Sequence, residues 1–153
     1  MLIIGIGDIA RRMVPLLAGR CRIYALARDP RRFALLRALD VTPIPGDLDE
    51  PASLAPLAGL AHDGVHLAPP PDRGVRDTRT AHLIAALAKG GSLPQQLVYI
   101  STSGVYGDCG GERVMETRPA RPQTERARRR ADAEQQLRAW GRRSALRPLS
   151  ACP

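Results

Sequence analysis

Gly5, Gly7 and Ala10 stand in a G-x-G-x-x-A spacing within the stretch LIIGIGDIARRM, residues 2–13. A glycine at the first position permits a tight turn, and one at the second lets the backbone approach a pyrophosphate. A small residue at the third keeps a helix close to its sheet. Unpaired amides at the helix start then face the phosphates. On this reading Gly5, Gly7, Asp8, Ile9 and Ala10 form a dinucleotide cradle. The alternative is a tight strand-to-helix turn with no ligand.

A second group decides which dinucleotide. An acidic residue about 20 positions past the second glycine would hold the ribose hydroxyls of NAD. Counting on from Gly7 reaches Ala27, then Arg28, with Arg31 and Arg32 at the next helix start. A guanidinium there suits a 2′-phosphate, whose oxygens its planar fork binds bidentately. Arg28 therefore points to NADP over NAD, and Asp29 reads as a cap for the next helix. Thr102 is a third candidate, because it ends the apolar run QQLVYIS where open α/β sheets bind ligands. Its hydroxyl could instead bond nearby backbone.

The elements that must position these residues alternate along the chain. LIIGI, CRIYALA, VTPIPG, GVHLA and QQLVYIST read as strands, with SALRPL a possible sixth. Between them lie helical runs. DIARRMVPLLAG would turn Ile9, Met13, Leu16 and Leu17 to one face, kinked at Pro15 unless that proline falls near its end. PRRFALLRAL is opened by Pro30; PASLAPLAGL is short and interrupted by proline. A long helix runs from about Val75 to Lys89, and TERARRRADAEQQLRAWG turns Ala127, Ala131, Leu137 and Trp140 inward. The two prolines of VTPIPG predict weak pairing. Alternation of this kind predicts a doubly wound α/β domain of about six mostly parallel strands, a Rossmann fold, occupying residues 1–153 as one unit.

Composition narrows the classes. The chain has 153 residues, 44% hydrophobic and only 3% aromatic, so its core is built from Leu, Ala, Ile and Val. The net charge of +8 is nearly all arginine, spread along the chain except at Arg126–Arg130, which reads as a solvated helix face. Nucleic acid is therefore not the expected partner. Cys21, Cys109 and Cys152 are odd in number and far apart, and His62, His66 and His82 form no convincing ligand set, so no metal is expected. Without a basic leader or a membrane-length apolar run, the expectation is a cytoplasmic protein.

GDLDE at 46–50, HLAPP at 66–70 and YISTSGVYGD at 99–108, each after a strand, join the glycine motif in a wider pattern. Over roughly residues 2 to 149 the chain resembles the extended short-chain dehydrogenase/reductase superfamily, the NAD(P)-dependent epimerases and dehydratases, and GIGDIA is closest to its atypical members. The resemblance implies that Asp47 and Leu48 flank the adenine, with Asp47 accepting from its amino group. It implies that Ala68 lies beneath the nicotinamide-side ribose and phosphates, and that Thr102 bonds a substrate oxygen.

Two departures stand out. Active members carry Tyr-x-x-x-Lys on the next helix, where the tyrosinate moves a proton and the lysine lowers its pKa. Here Thr124 and Arg128 hold that spacing. A threonine hydroxyl has no accessible alkoxide near neutral pH, whereas Arg128 could still bind ribose or phosphate. The superfamily also runs on into a substrate-binding region, absent from a chain that stops at Pro153. Either a truncated product or a single-domain relative is expected, and an unfinished sheet edge favours self-association. The competing functions are an NADP-dependent enzyme acting on a small molecule and a non-catalytic module that senses the dinucleotide or scaffolds a partner.

Overall fold

The computed structural model describes residues 1–144 and, as backbone, 147–151; Cys152 and the residues 145–146 of the expected sixth strand lie outside the described residues. Six parallel strands form one sheet in the order β3-β2-β1-β4-β5-β6. They are β1 (Leu2–Ile4), β2 (Ile23–Ala27), β3 (Val41–Pro45), β4 (Asp63–His66), β5 (Gln96–Ile100) and β6 (Arg147–Ala151). The order reverses between β1 and β4. A crevice opens at such a switch point outside the carboxyl ends of the strands.

Helices α1 (Asp8–Leu17) and α2 (Phe33–Ala38) share one face, packing on Ile3, Ile23, Ala25 and Val41. Helices α3 (Thr78–Leu87) and α4 (Glu125–Ser144) cover the other, over Leu2, Ile4, Leu97 and Tyr99. The long α4 buries Ala127, Ala131, Leu137 and Trp140, the four residues its periodicity assigned to the core. No helix among the described residues is long and apolar enough to cross a membrane.

Four local expectations need correction. In α1 the buried residues are Ala10 and Val14, while Ile9 is 47% and Leu16 71% exposed. Met13 and Leu17 of the expected stripe do pack, half-buried, against this core, whereas Ile9 and Leu16 point away from it. In β3 the prolines do not weaken the pairing, which runs unbroken from Ile23↔Val41 to Ala27↔Pro45. Pro43 and Pro45 are two apart on an edge strand, so their missing N–H groups fall on the open side. Helix α3 begins at Thr78 rather than near Val75, because the Asp77 carboxylate accepts from the Thr80 amide and caps it there. Finally, Arg129 and Arg130 are buried, so the arginine run is not simply a solvated face.

Both buried arginines fasten α4 to its neighbours. Arg130 donates to the Tyr99 hydroxyl at 3.0 Å and to the Ile100 carbonyl at 2.9 Å. Arg129 donates to the Gly74 carbonyl, and one turn on the Ser101 hydroxyl donates to buried Glu134. Each arginine leaves its Nε without a partner. Removing one member of such a contact strands a buried charge, which costs more than the pair itself contributes.

Candidate dinucleotide site

The crevice at the switch point is a cleft of about 380 Å³, within the roughly 300–1,000 Å³ usual for ligand sites. Its walls come from the loops that follow β1, β2, β3 and β4. Gly5 has φ +98°, and a Cβ there would lie 2.5 Å from the Ala68 amide nitrogen. The turn after β1 can therefore pack on the start of the β4 loop only as glycine. Gly7 differs, since a Cβ there would meet nothing within 4 Å. It opens α1 as the capping residue, with no side chain satisfying the first amides. Open space and free amides at the start of a ten-residue helix fit a phosphate approaching the backbone.

The structure brings Gly5, Gly7, Arg28, Asp47, Leu48 and Ala68 together as lining of this cleft. Ala10 lies beneath it, 1% exposed and packed on the sheet, which lets α1 come close. Asp8 and Ile9 do not line it. Asp8 pairs with Arg12 on the exposed side of the helix at 2.8 Å, and Ile9 faces outward. Asp47 is held at both backbone and side chain: its amide donates to the Ser53 hydroxyl, and its Oδ1 accepts from the Asp49 amide. Its Oδ2 faces Arg28 at 4.0 Å.

The end of β2 carries one acidic and three basic residues, Asp29 with Arg28, Arg31 and Arg32. Asp29 caps the following 3₁₀ turn, accepting from the Arg31 amide at 3.1 Å. Both carboxylate oxygens are also engaged by the Arg31 guanidinium, at 3.0 and 3.1 Å, which holds this carboxyl below its usual range. An acid so occupied is a poor acceptor for ribose hydroxyls. Arg28 remains largely exposed beside the cleft, and Arg32 lines it while donating to the Ile6 carbonyl at 3.0 Å. Arg32 thereby ties the β2 wall to the glycine turn.

Three sequence candidates stand apart from the cleft. Thr102 lies on the same carboxyl edge, at the end of β5, half-buried, and its hydroxyl accepts from the Gly104 amide at a long 3.4 Å. Thr124 caps α4, accepting from the Ala127 amide at 3.1 Å. Arg128 is exposed on α4. Sequence reasoning missed Arg79, an α3 residue in the cleft wall that pairs with Asp49. The available signal was Pro69–Pro71, three residues with no N–H, whose carbonyls need donors from elsewhere.

Strand order, switch-point crevice and glycine turn define a Rossmann-type dinucleotide-binding domain. The model of the NAD dependent epimerase/dehydratase family matches residues 1–153, and the chain belongs to that family. Among solved structures it is similar to a dTDP-glucose 4,6-dehydratase double mutant from Streptomyces venezuelae with NAD bound, at 22% identity and a TM-score of 0.79, covering 99% of this chain and 55% of the other. The UDP-glucose 4-epimerase of Thermus thermophilus in complex with NAD is similar at 24% identity and a TM-score of 0.79, covering 98% and 54%. A UDP-glucuronic acid 4-epimerase mutant from Bacillus cereus shares 17% identity at a TM-score of 0.79, covering 99% and 55%. The chain thus spans about half the length of the structures it matches. No curated protein matches it.

Proposed function

We propose that this chain holds NADP in the switch-point cleft and, if it turns over, serves hydride transfer at a carbonyl or secondary alcohol carbon of a small molecule in the cytoplasm. One observation carries the binding: free helix-start amides and open space at Gly7, at the mouth of a cleft walled by Arg28 and Arg32. Gly5, Gly7 and the α1 start would hold the pyrophosphate. Arg28 and Arg32 would take a 2′-phosphate, and Asp47 and Leu48 would flank the adenine, with Ala68 beneath the other ribose. The bound cofactor would supply or accept the hydride.

Thr102 is the residue for polarising a substrate oxygen, being at the strand end with only a long hydrogen bond to give up. Thr124 moves no proton on this reading, since its hydroxyl already caps α4. That capping favours the second reading, a dinucleotide-sensing or scaffolding module without turnover. Arg128 is the remaining candidate for a ribose or phosphate contact. A second copy of the chain is the expected macromolecular partner. Nucleic acid is disfavoured because two of the five residues 126–130 are buried arginines.

Titration with NADPH and NADH tests the binding: NADPH is expected to bind at least about ten-fold tighter, as charge-assisted phosphate contacts would give. Equal affinities, or tighter NADH, would overturn the NADP assignment. A panel of sugar nucleotides and simple carbonyls separates the two readings. Turnover lost in Thr102→Ala supports the enzyme, binding without turnover supports the sensor, and turnover surviving that change shows the site misassigned.

A further inference from the structure

Helix α3 reaches into the cleft wall through one side chain. Arg79 donates from Nε and Nη2 to the two carboxylate oxygens of Asp49, at 2.8 and 2.6 Å. Its Nη1 donates to the carbonyls of Pro69 and Pro70, both at 3.2 Å. Asp49 belongs to the loop after β3 and the prolines to the loop after β4, so one guanidinium joins the two walls. The Arg79 side chain is only 15% exposed, although Asp49 is 43% exposed. Exposed ion pairs contribute little as a rule, whereas a bidentate fork with further hydrogen bonds fixes geometry. The segment Pro69–Pro71 has no N–H with which to tie itself down, so Arg79 supplies donors to carbonyls the loop cannot serve. One turn further along α3, His82 donates from Nδ1 to the Leu48 carbonyl at 2.7 Å, a second hold on the same β3 loop.

We propose that Arg79 and Asp49 form a latch that holds the β3 and β4 loops at a fixed spacing, making Arg79 the positioning residue for adenine between them. All three donor nitrogens of Arg79 are engaged, so it acts through the walls and does not itself bind the base. The latch rests on the geometry; that its cargo is adenine rests on the function proposed above. Burial of the base between Leu48 and the β4 loop then requires the spacing, and so does the direction in which Asp47 meets the adenine amino group.

Two readouts test the latch in Arg79→Gln and Arg79→Lys. Hydrogen exchange at the hydrogen-bonded Asp47, Asp49, Glu50 and Leu67 amides of the two loops is expected to quicken roughly ten-fold or more in Arg79→Gln while α4 amides keep their rates. The preference for NADPH over its hypoxanthine analogue, about five-fold for one hydrogen bond, is expected to vanish in Arg79→Gln and to return in part with lysine. Asp49→Asn, on the exposed side of the pair, repeats both measurements if Arg79→Gln does not fold. Unchanged exchange would overturn the latch whether or not any dinucleotide binds. Quickened exchange with an unchanged base preference, or no base preference in the wild type, would overturn the adenine role. Failure of the wild type to bind either dinucleotide would refute the proposed function instead, leaving exchange to decide the latch.

Discussion

Gly5 and Gly7 are two residues apart and do different work. At Gly5 the backbone is left-handed and a Cβ would strike the Ala68 backbone, so alanine there is strained in the free chain. At Gly7 a Cβ would stand in open space, where only a bound phosphate would meet it. Gly5→Ala is expected to lower unfolding free energy by about 1–3 kcal/mol. Gly7→Ala is expected to leave stability within about 0.5 kcal/mol yet weaken NADPH binding roughly ten-fold or more. Urea denaturation and NADPH titration of both variants check this. Equal effects of the two changes on binding and stability would contradict the separation. The glycine spacing was legible in the sequence because each glycine answers a backbone requirement local to one turn. Arg79 was not, because its partners lie 30 residues before it in Asp49 and nine to ten before it in Pro70 and Pro69.

At the scale of elements, the strands followed their periodicity, and the misjudged details of α1 and α4 were decided by tertiary packing, that of α3 by its Asp77 cap. Ala10 and Val14 face the sheet with Met13 and Leu17 half-buried beside them, a docking angle no helical wheel contains. Arg129 and Arg130 are buried because α4 meets the Gly74 carbonyl and the end of β5. Between β4 and α3 a comparable polar contact is titratable. His66 is fully buried, its Nε2 3.0 Å from the Thr80 hydroxyl and its Nδ1 without a partner. Burial, with the Arg130 charge adding to it, pushes its pKa from 6.5 to about 3. Below pH 6.5 the unfolded chain takes up a proton that the folded chain refuses, so stability is full above that pH and falls as the pH drops toward 3. The slope is about 1.4 kcal/mol per pH unit. His66→Gln, which keeps a partner for Thr80, is expected to lose roughly 2 kcal/mol less than the wild type between about pH 7 and pH 5 in urea denaturation. Parallel losses in the two proteins would contradict this account of the contact.

Across the whole molecule, the sheet order sets where a ligand can lie, and the loops after β1 to β4 decide what it can be. The reversal between β1 and β4 opens the crevice, and the glycine turn brings helix-start amides to it. Arg28 and Arg32 give one wall a positive charge that Asp29, engaged by Arg31, does not cancel. On the far side of the same carboxyl edge, Thr102 stands without a tyrosine from α4, where Thr124 spends its hydroxyl on the helix cap. In the proposed function, binding and chemistry therefore rest on different residues. A structure determined with NADPH tests the binding. The pyrophosphate is expected at the α1 start over Gly7, the 2′-phosphate against Arg28 and Arg32, and the adenine beside Asp47 and Leu48. A cleft left empty at saturating NADPH, or a dinucleotide seated away from Gly7, would contradict the proposed binding.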